Sequence, residues 1–429
     1  MTRNAEAALL ATASLVAAAG VALSSFTEGE WLNADVLLTL LAFAIGFGLV
    51  HLALRRWAPE ASPFLLPLAA FLAAIGFTEI YRLDPDLAAL QRWSLVAAGI
   101  FGSGTVYLLR NDGVRLLRRY RYLFLLAAVL LLLLPLLPAS WPIHGATVNG
   151  ARLWVRVDLL GRTLSFQPGE LAKVFLTIFL ASYLADRAGA MAATGGRIGR
   201  FQIPAPRRFG PILVAAAAAF GVLVYQRDLG ASLLIFLLFV GLIYIATGRI
   251  AYLIAGGGLL LAGGLVAYQA FSHVQERIGS WLHPFDDYAG SGYQVAQSLF
   301  ALGSGSLTGS GVGLGRPELI PAASTDFIFA AVGEELGLAG TVVVIAGYAL
   351  LVAVGFGIAI RARDVFAKYL AAGLTLVLAI QAILIIGGVI RLLPVTGITL
   401  PFMSYGGSSL VANMVMLALL AMVSREQPA

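Results

Sequence analysis

Long apolar runs, broken by polar joints, repeat from one end of this chain to the other. A run of about 17–25 apolar residues crosses a bilayer as a helix, which pairs its backbone N–H and C=O groups where no water is present. Twelve spans are predicted, near residues 7–25, 34–54, 64–80, 93–109, 121–137, 168–184, 211–226, 229–247, 251–270, 338–360, 366–390 and 406–424. The predicted fold class is all-α, a polytopic membrane protein of about twelve transmembrane helices. Two joints break the rhythm, one near 138–167 and a far longer one near 271–337. Both carry Arg, Trp, Asp and Gly, and the second reads as a large, partly re-entrant loop.

The joints also alternate in charge. Arg55 and Arg56, then Arg110, Arg115, Arg118, Arg119 and Arg121, then Arg187, Arg197, Arg200, Arg207 and Arg208 fall in alternate joints. Arg249, Arg361, Arg363, Lys368 and Arg425 continue the parity. The positive-inside rule makes these joints cytoplasmic, and both termini with them. With Arg3 they make eighteen of the 28 Lys and Arg residues, which accounts for most of the pI of about 9.6. The basic balance is therefore read as topology and contact with membrane lipids, not as a nucleic-acid surface. The first apolar stretch is followed by further spans and reads as an anchor, not a cleaved signal.

The two long joints then face outward, and arginines there run against the topology preference. They are Arg152, Arg156, Arg162, Arg277 and Arg316, joined by Arg391 in the outer connection after the span 366–390. Guanidinium forks match phosphate oxygens, so a phosphate-bearing substrate and lipid headgroups are the two readings. Composition supports the membrane assignment: 60% hydrophobic residues, 12% charged and a mean hydropathy of +0.90 exclude a soluble globular domain of this length. The absence of cysteine excludes disulfides, thiol catalysis and Cys-based metal sites. His51, His144, His273 and His283 are scattered and form no zinc motif.

Four stretches carry candidate chemistry. Asp326, in Thr325-Asp326-Phe327-Ile328-Phe329, stands where the glycine-rich joint meets an apolar segment. Such surroundings raise a carboxylate's pKa and suit it to act as a base near neutral pH. Glu170 and Lys173 follow Pro168, a residue suited to a first helical turn, and share one helical face. A structural ion pair and a clamp on a diphosphate both satisfy that spacing. Gln226-Arg227-Asp228-Leu229-Gly230 is a tight connection, either a solvated turn or a wall of the outer cavity. Leu393 to Ser409 interrupts its apolar pattern with Pro394, Pro401, Gly397, Gly406 and Gly407, and reads as a broken segment packed on the same cavity. Glycines 303, 305, 309, 311, 313 and 315 match neither a Rossmann fingerprint nor a P-loop, since no strand precedes them and no Lys-Ser/Thr ends them.

In order and spacing these segments resemble the SEDS family (shape, elongation, division and sporulation), the RodA, FtsW and SpoVE proteins. The resemblance runs from about residue 61 to 424. It rests on Asn149–Trp154, Gln167-Pro168-Gly169-Glu170 with Lys173, and Gln226 with Asp228-Leu229-Gly230. It continues through Gly292-Tyr293-Gln294, Gln297-Ser298, Thr325–Phe329, Glu334-Glu335 with Gly337, and Pro401–Ser409. Residues 1–60 form an N-terminal extension with two helices, resembling the larger RodA variants, and 425–429 a cytoplasmic tail. Leu153 stands where many members have Arg before the Trp, and Arg152 is the candidate for that role.

The resemblance implies a peptidoglycan glycosyltransferase at the outer face of the bacterial cytoplasmic membrane. It would polymerise lipid II, a disaccharide-pentapeptide on undecaprenyl diphosphate, beside a class B penicillin-binding protein transpeptidase. The family's essential acid matches Asp326, and its Glu and Lys match Glu170 and Lys173. Substrate-binding candidates are Glu170, Lys173, Arg152, Trp154, Arg277, Gln294, Ser298, Glu318 and Ser404. No protein-held metal is expected, and Mg or Mn at the diphosphate stays an open alternative. A lipid II flippase and a non-catalytic scaffold for the transpeptidase are the competing readings; clustering of the polar features on one face counts against transport.

Overall fold

The computed structural model describes residues 2–27, 33–138, 140–148, 151–159, 162–192, 194–198, 201–204, 221 and 226–426. In chain order the first helices are α1 (Arg3–Thr27), α2 (Ala34–Trp57), α3 (Leu65–Leu83), α4 (Pro85–Leu108), α5 (Arg115–Arg119) and α6 (Arg121–Leu133). Strands β1 (Ile143–Val148), β2 (Ala151–Leu159) and β3 (Arg162–Phe166) follow, then α7 (Pro168–Ala192), β4 (Thr194–Ile198) and β5 (Phe201–Pro204). The rest is helical: α8 (Leu229–Thr247), α9 (Ile250–Ala270), α10 (Ser272–Leu282), α11 (Tyr293–Gly305), α12 (Ile328–Arg361), α13 (Val365–Val389) and α14 (Gly407–Arg425).

Among the described residues nine helices are long and apolar enough to cross a membrane: α1, α2, α3, α7, α8, α9, α12, α13 and α14. The predicted span 93–109 lies on α4, and 121–137 is α6 with a 3-10 turn at Leu134–Leu136. The span predicted at 211–226 falls largely outside the described residues, as do Asn149, Gly150, Arg200, Arg207 and Arg208. The chain forms two compact units, one of Met1–Arg110, Val266–Val354 and Gln381–Arg425, the other of Asn111–Leu265, Gly355–Ile380 and Glu426–Ala429.

In the first unit α1 packs on α2 and α3, α2 on α4, and α4 on α14. Asp84 starts α4 as N-cap, its Oδ1 accepting the N–H groups of Asp86 and Leu87 at 2.9 and 3.1 Å, with Pro85 next. The first two helices are built into this unit. Fully buried Glu6 pairs with Arg3 and with His51 Nδ1, the latter at 2.9 Å. Arg3 also donates to the carbonyls of Ala58 and Ala61 at 3.1 and 2.5 Å, pinning α1 to the connection before α3. A buried charge is tolerable only when paired in this way.

The joint at 271–337, read from sequence as a loop, is mostly ordered helix and turn: α10, α11, a 3-10 turn at Pro317–Leu319, and the first turns of α12. The sequence-predicted start of the following span at 338 is a kink inside α12. Gly337 adopts φ 63° and ψ −162°, open essentially to glycine alone. A Cβ there would stand 2.8 Å from the Leu307 carbonyl group. The freed N–H groups of Leu338 and Ala339 donate instead to Ser306 and Leu307 carbonyls at 3.0 and 3.2 Å. The kink thus binds the glycine-rich segment to α12.

In the second unit α6 packs on α7 and α7 on α8. The joint at 138–167 is an antiparallel sheet, order β1-β2-β3, with Trp154 opposite Ala146 and Val155 opposite Phe166. Asp228 caps α8, its Oδ1 accepting the Ala231 N–H at 2.8 Å, and both it and Gln226 are buried, so this connection is not the solvated turn that is one of its two sequence readings. Helices dominate throughout, with these short strands confined to the joints.

Candidate active site

Asp326 is the last polar residue of a turn that ends on a wholly apolar run. Phe327, Ile328 and Phe329 are buried and anchor the start of α12. Ala322, in a left-handed conformation with φ 57°, accepts the N–H groups of Thr325 and Phe327 at 3.0 and 3.3 Å. That conformation costs an alanine roughly 1–2 kcal/mol, so the fold holds this turn against a local preference. Burial raises the Asp326 pKa to about 6, with Arg277 and the Thr325 hydroxyl pulling the other way. The carboxylate is therefore ionised at neutral pH yet still basic enough to take a proton.

Two further segments converge on it. Arg277 of α10 donates through Nη1 to the Val395 carbonyl at 3.0 Å. Gly397, at φ 73°, lies between the two charges: a Cβ there would meet Arg277 Nη2 at 3.3 Å and Asp326 Oδ2 at 3.8 Å. The broken segment is bonded to the acid's own turn. Ser404 Oγ donates to the Thr325 carbonyl at 2.5 Å and accepts the Leu400 N–H at 2.8 Å. The Tyr405 N–H donates to the Ser324 carbonyl at 2.8 Å. At its other end Arg391 donates to the carbonyls of Trp281 and Leu282 at 2.8 and 2.5 Å, and Trp281 Nε1 returns a bond to the Arg391 carbonyl at 3.1 Å. The segment predicted as broken, Leu393–Ser409, is bonded to the turn that carries Asp326.

Of the other sequence-predicted residues of this unit, Gln294 bonds next to the acid's turn, whereas Ser298 and Glu318 bond elsewhere. Gln294 Nε2 donates to the Pro321 carbonyl at 2.8 Å and steadies the turn. Ser298 is fully buried and bonds the carbonyls of Val295 and Val389 at 2.8 and 3.3 Å, so its hydroxyl holds α11 in place. Glu318 is half-exposed, its Oε2 3.7 Å from Arg82 Nη2. A cavity of about 230 Å³ is lined by Gln297, Ser304, Ser310, Arg316, Leu319 and Glu334. Sequence reading missed Gln91 of α4, which donates to the Ser404 carbonyl at 3.4 Å and accepts the Gly406 N–H at 3.2 Å. It also missed Arg82, set 3.5 Å from buried Glu335. Gln91 and Arg82 both lie in the joint between the spans predicted at 64–80 and 93–109, where the apolar pattern offers no signal for either.

In the second unit Lys173 Nζ donates to Glu170 Oε2 at 2.6 Å, and both side chains are buried. The predicted helical pair is therefore formed. Arg152 Nη2 donates to the Leu137 carbonyl at 2.7 Å, while its Nε is buried without a hydrogen-bond partner. Trp154 is partly buried on β2, and Arg156 is exposed. Among the described residues no group of three or more His, Asp or Glu side chains could hold a metal ion.

Fold and site together define a polytopic α-helical membrane protein with a half-buried acid that feels the charge of an arginine and sits on a turn bonded to a broken segment. The family model for FtsW, RodA and SpoVE, described as cell cycle protein, matches residues 64–429, and the chain belongs to that family. It is 41% identical over 434 residues to the peptidoglycan glycosyltransferase RodA of Mycobacterium tuberculosis, covering 98% of this chain and 90% of that one. It is 33% identical to the stage V sporulation protein E of Bacillus subtilis, covering 91% of this chain and 96% of that one. Among solved structures it is similar to the Thermus thermophilus rod shape determining protein RodA, with TM-score 0.57, 26% identity, and 86% and 97% of the two chains covered. A chain from a peptidoglycan synthase complex, studied for coordination of polymerization and crosslinking, gives TM-score 0.67, 27% identity, and 86% and 99% coverage.

Proposed function

We propose that this peptidoglycan glycosyltransferase uses Asp326 as the general base that joins lipid II units into glycan strands. A sugar hydroxyl of one lipid II gives its proton to the Asp326 carboxylate as its oxygen attacks the anomeric carbon of a second. The new C–O bond forms as the bond to diphosphate breaks, and undecaprenyl diphosphate leaves with the electron pair. One carboxylate suffices for this inverting displacement, because the departing diphosphate needs little acid assistance; paired carboxylates belong to glycoside hydrolysis. The observation that carries this reading is the convergence of Asp326 and Arg277 over Gly397, a residue with no side chain to fill the space.

Lys173, held by Glu170, and Arg152 are assigned to the anionic diphosphate. A divalent cation, Mg or Mn, carried on the diphosphate oxygens would add to the same charge neutralisation. Gln294, Ser298, Glu318, Trp154 and Ser404 are assigned to shaping the substrate site. The positive-inside pattern supports cytoplasmic termini in the bacterial inner membrane and an outward-facing acid. Kinship with a chain from a polymerization and crosslinking complex supports a class B penicillin-binding protein as partner. Reconstitution into liposomes loaded with lipid II tests the reading. Formation of new glycosidic bonds without net lipid II movement is expected; movement without new bonds would make the protein a transporter instead.

A further inference from the structure

In the second unit, an open cavity of about 430 Å³ is lined by Arg115, Arg118, Arg119, Arg121, Tyr122 and Asp186. Asp186 is spent on two of the four arginines: Arg118 Nη2 donates to its Oδ1 at 2.6 Å, and Arg121 donates to its Oδ2. Asp364 stands 3.9 Å from Arg118 Nη1 and also accepts the Ala367 N–H at 2.9 Å. Among the described residues no carboxylate is within ion-pair distance of Arg115 or Arg119, and both are exposed. Four guanidinium charges against two carboxylates leave a net +2 at the cavity.

The apolar surroundings say what kind of anion fits. Tyr120 and Tyr122 are exposed beside the arginines, the placement aromatic rings take at a membrane interface. Leu123, Leu126 and Leu130 continue from them along α6 at 59%, 54% and 55% exposure. Their spacing of three and four puts them on one helical face. This exposed leucine face begins one residue past Tyr122, which lines the basic cavity. A soluble diphosphate would satisfy the arginines but leave the stripe bare.

We propose that this cavity is a headgroup site for an anionic phospholipid bearing two phosphates, with its acyl chains laid along the leucine face of α6. Two phosphodiesters bring the two negative charges that the lining lacks, and guanidinium forks match their oxygens. Basic pockets beside transmembrane helices hold doubly charged headgroups in this way. The site stands apart from glycosyl transfer and does not rest on that reading.

Native mass spectrometry and thermal denaturation of the full chain in detergent test it, with diphosphatidylglycerol, phosphatidylcholine and inorganic pyrophosphate as probes. Arg118 and Arg121 are left intact because they bond Asp186; the test variant is Arg115→Gln with Arg119→Gln. The wild type is expected to retain diphosphatidylglycerol at least about ten-fold more tightly than phosphatidylcholine, and to melt higher with it. The double variant loses both effects while matching the wild-type melting temperature in phosphatidylcholine. An Arg55→Gln, Arg56→Gln control keeps both. Equal lipid retention by wild type and double variant would overturn the proposal, as would equal loss in the control. Pyrophosphate binding as tightly as the lipid, and displacing it, would also overturn it, since the stripe would then have no part.

Discussion

Asp326 loses hydration in its turn, gains partial compensation from Arg277 and Thr325, and settles near a pKa of about 6. The sign of the resulting stability effect follows from proton counting. Between about pH 4 and pH 6 the native protein keeps a proton that the unfolded chain releases, so stability falls as pH rises through that window. Asp326→Asn is never charged and escapes the fall. Its melting temperature is expected to exceed the wild type above pH 6, by at most about 3 kcal/mol of stability, and to match it below pH 4. Thermal denaturation across that range checks this; a variant less stable at pH 8 would mean the carboxylate is held for its fold. At Gly397, alanine meets both a disfavoured φ of 73° and a Cβ 3.3 Å from Arg277. Gly397→Ala should lower activity while costing roughly 1–2 kcal/mol of stability. Full activity in that variant would show that the gap over Arg277 is not used.

Among the elements, α12 carries the kink on which the glycine-rich segment hangs. Gly337→Ala should cost roughly 1–3 kcal/mol, read as a lower melting temperature, because its backbone conformation is nearly closed to a side chain. No change would mean α12 can straighten without loss. The spans were legible from sequence because lipid demands long apolar runs and leaves little choice. The joints were less so. Trp154, Val155 and Val157 supply the aromatic and β-branched residues of a strand, a signal too short to stand out beside the long apolar spans. α10 and α11 were hidden by the glycines around them, whose tight backbone approaches depend on partners distant in sequence. The broken segment at 393–409 was recognisable from its prolines and glycines; its hydrogen bonds to Ser324 and Thr325 were not.

For the molecule as a whole, the first two helices belong to the unit that holds Asp326. Their anchor is Glu6, buried between Arg3 and His51. Glu6→Ala strands Arg3 beside apolar helices, and a loss of about 3–5 kcal/mol is expected from unfolding in detergent. An unchanged melting temperature would show that the first two helices ride on the rest of the unit without supporting it. Sequence alone located the acid, the ion pair and the broken segment. Arg82 and Gln91 went unseen because their partners, Glu335 and Ser404, lie more than two hundred residues away. The central claim is that one carboxylate takes the proton from the attacking sugar. The most direct measurement is glycan strand formation from lipid II by purified protein, wild type against Asp326→Asn, with lipid II binding measured on the same samples. A rate loss of about 10²–10⁴-fold with binding retained is predicted. Strand formation by the variant at near wild-type rate would contradict it.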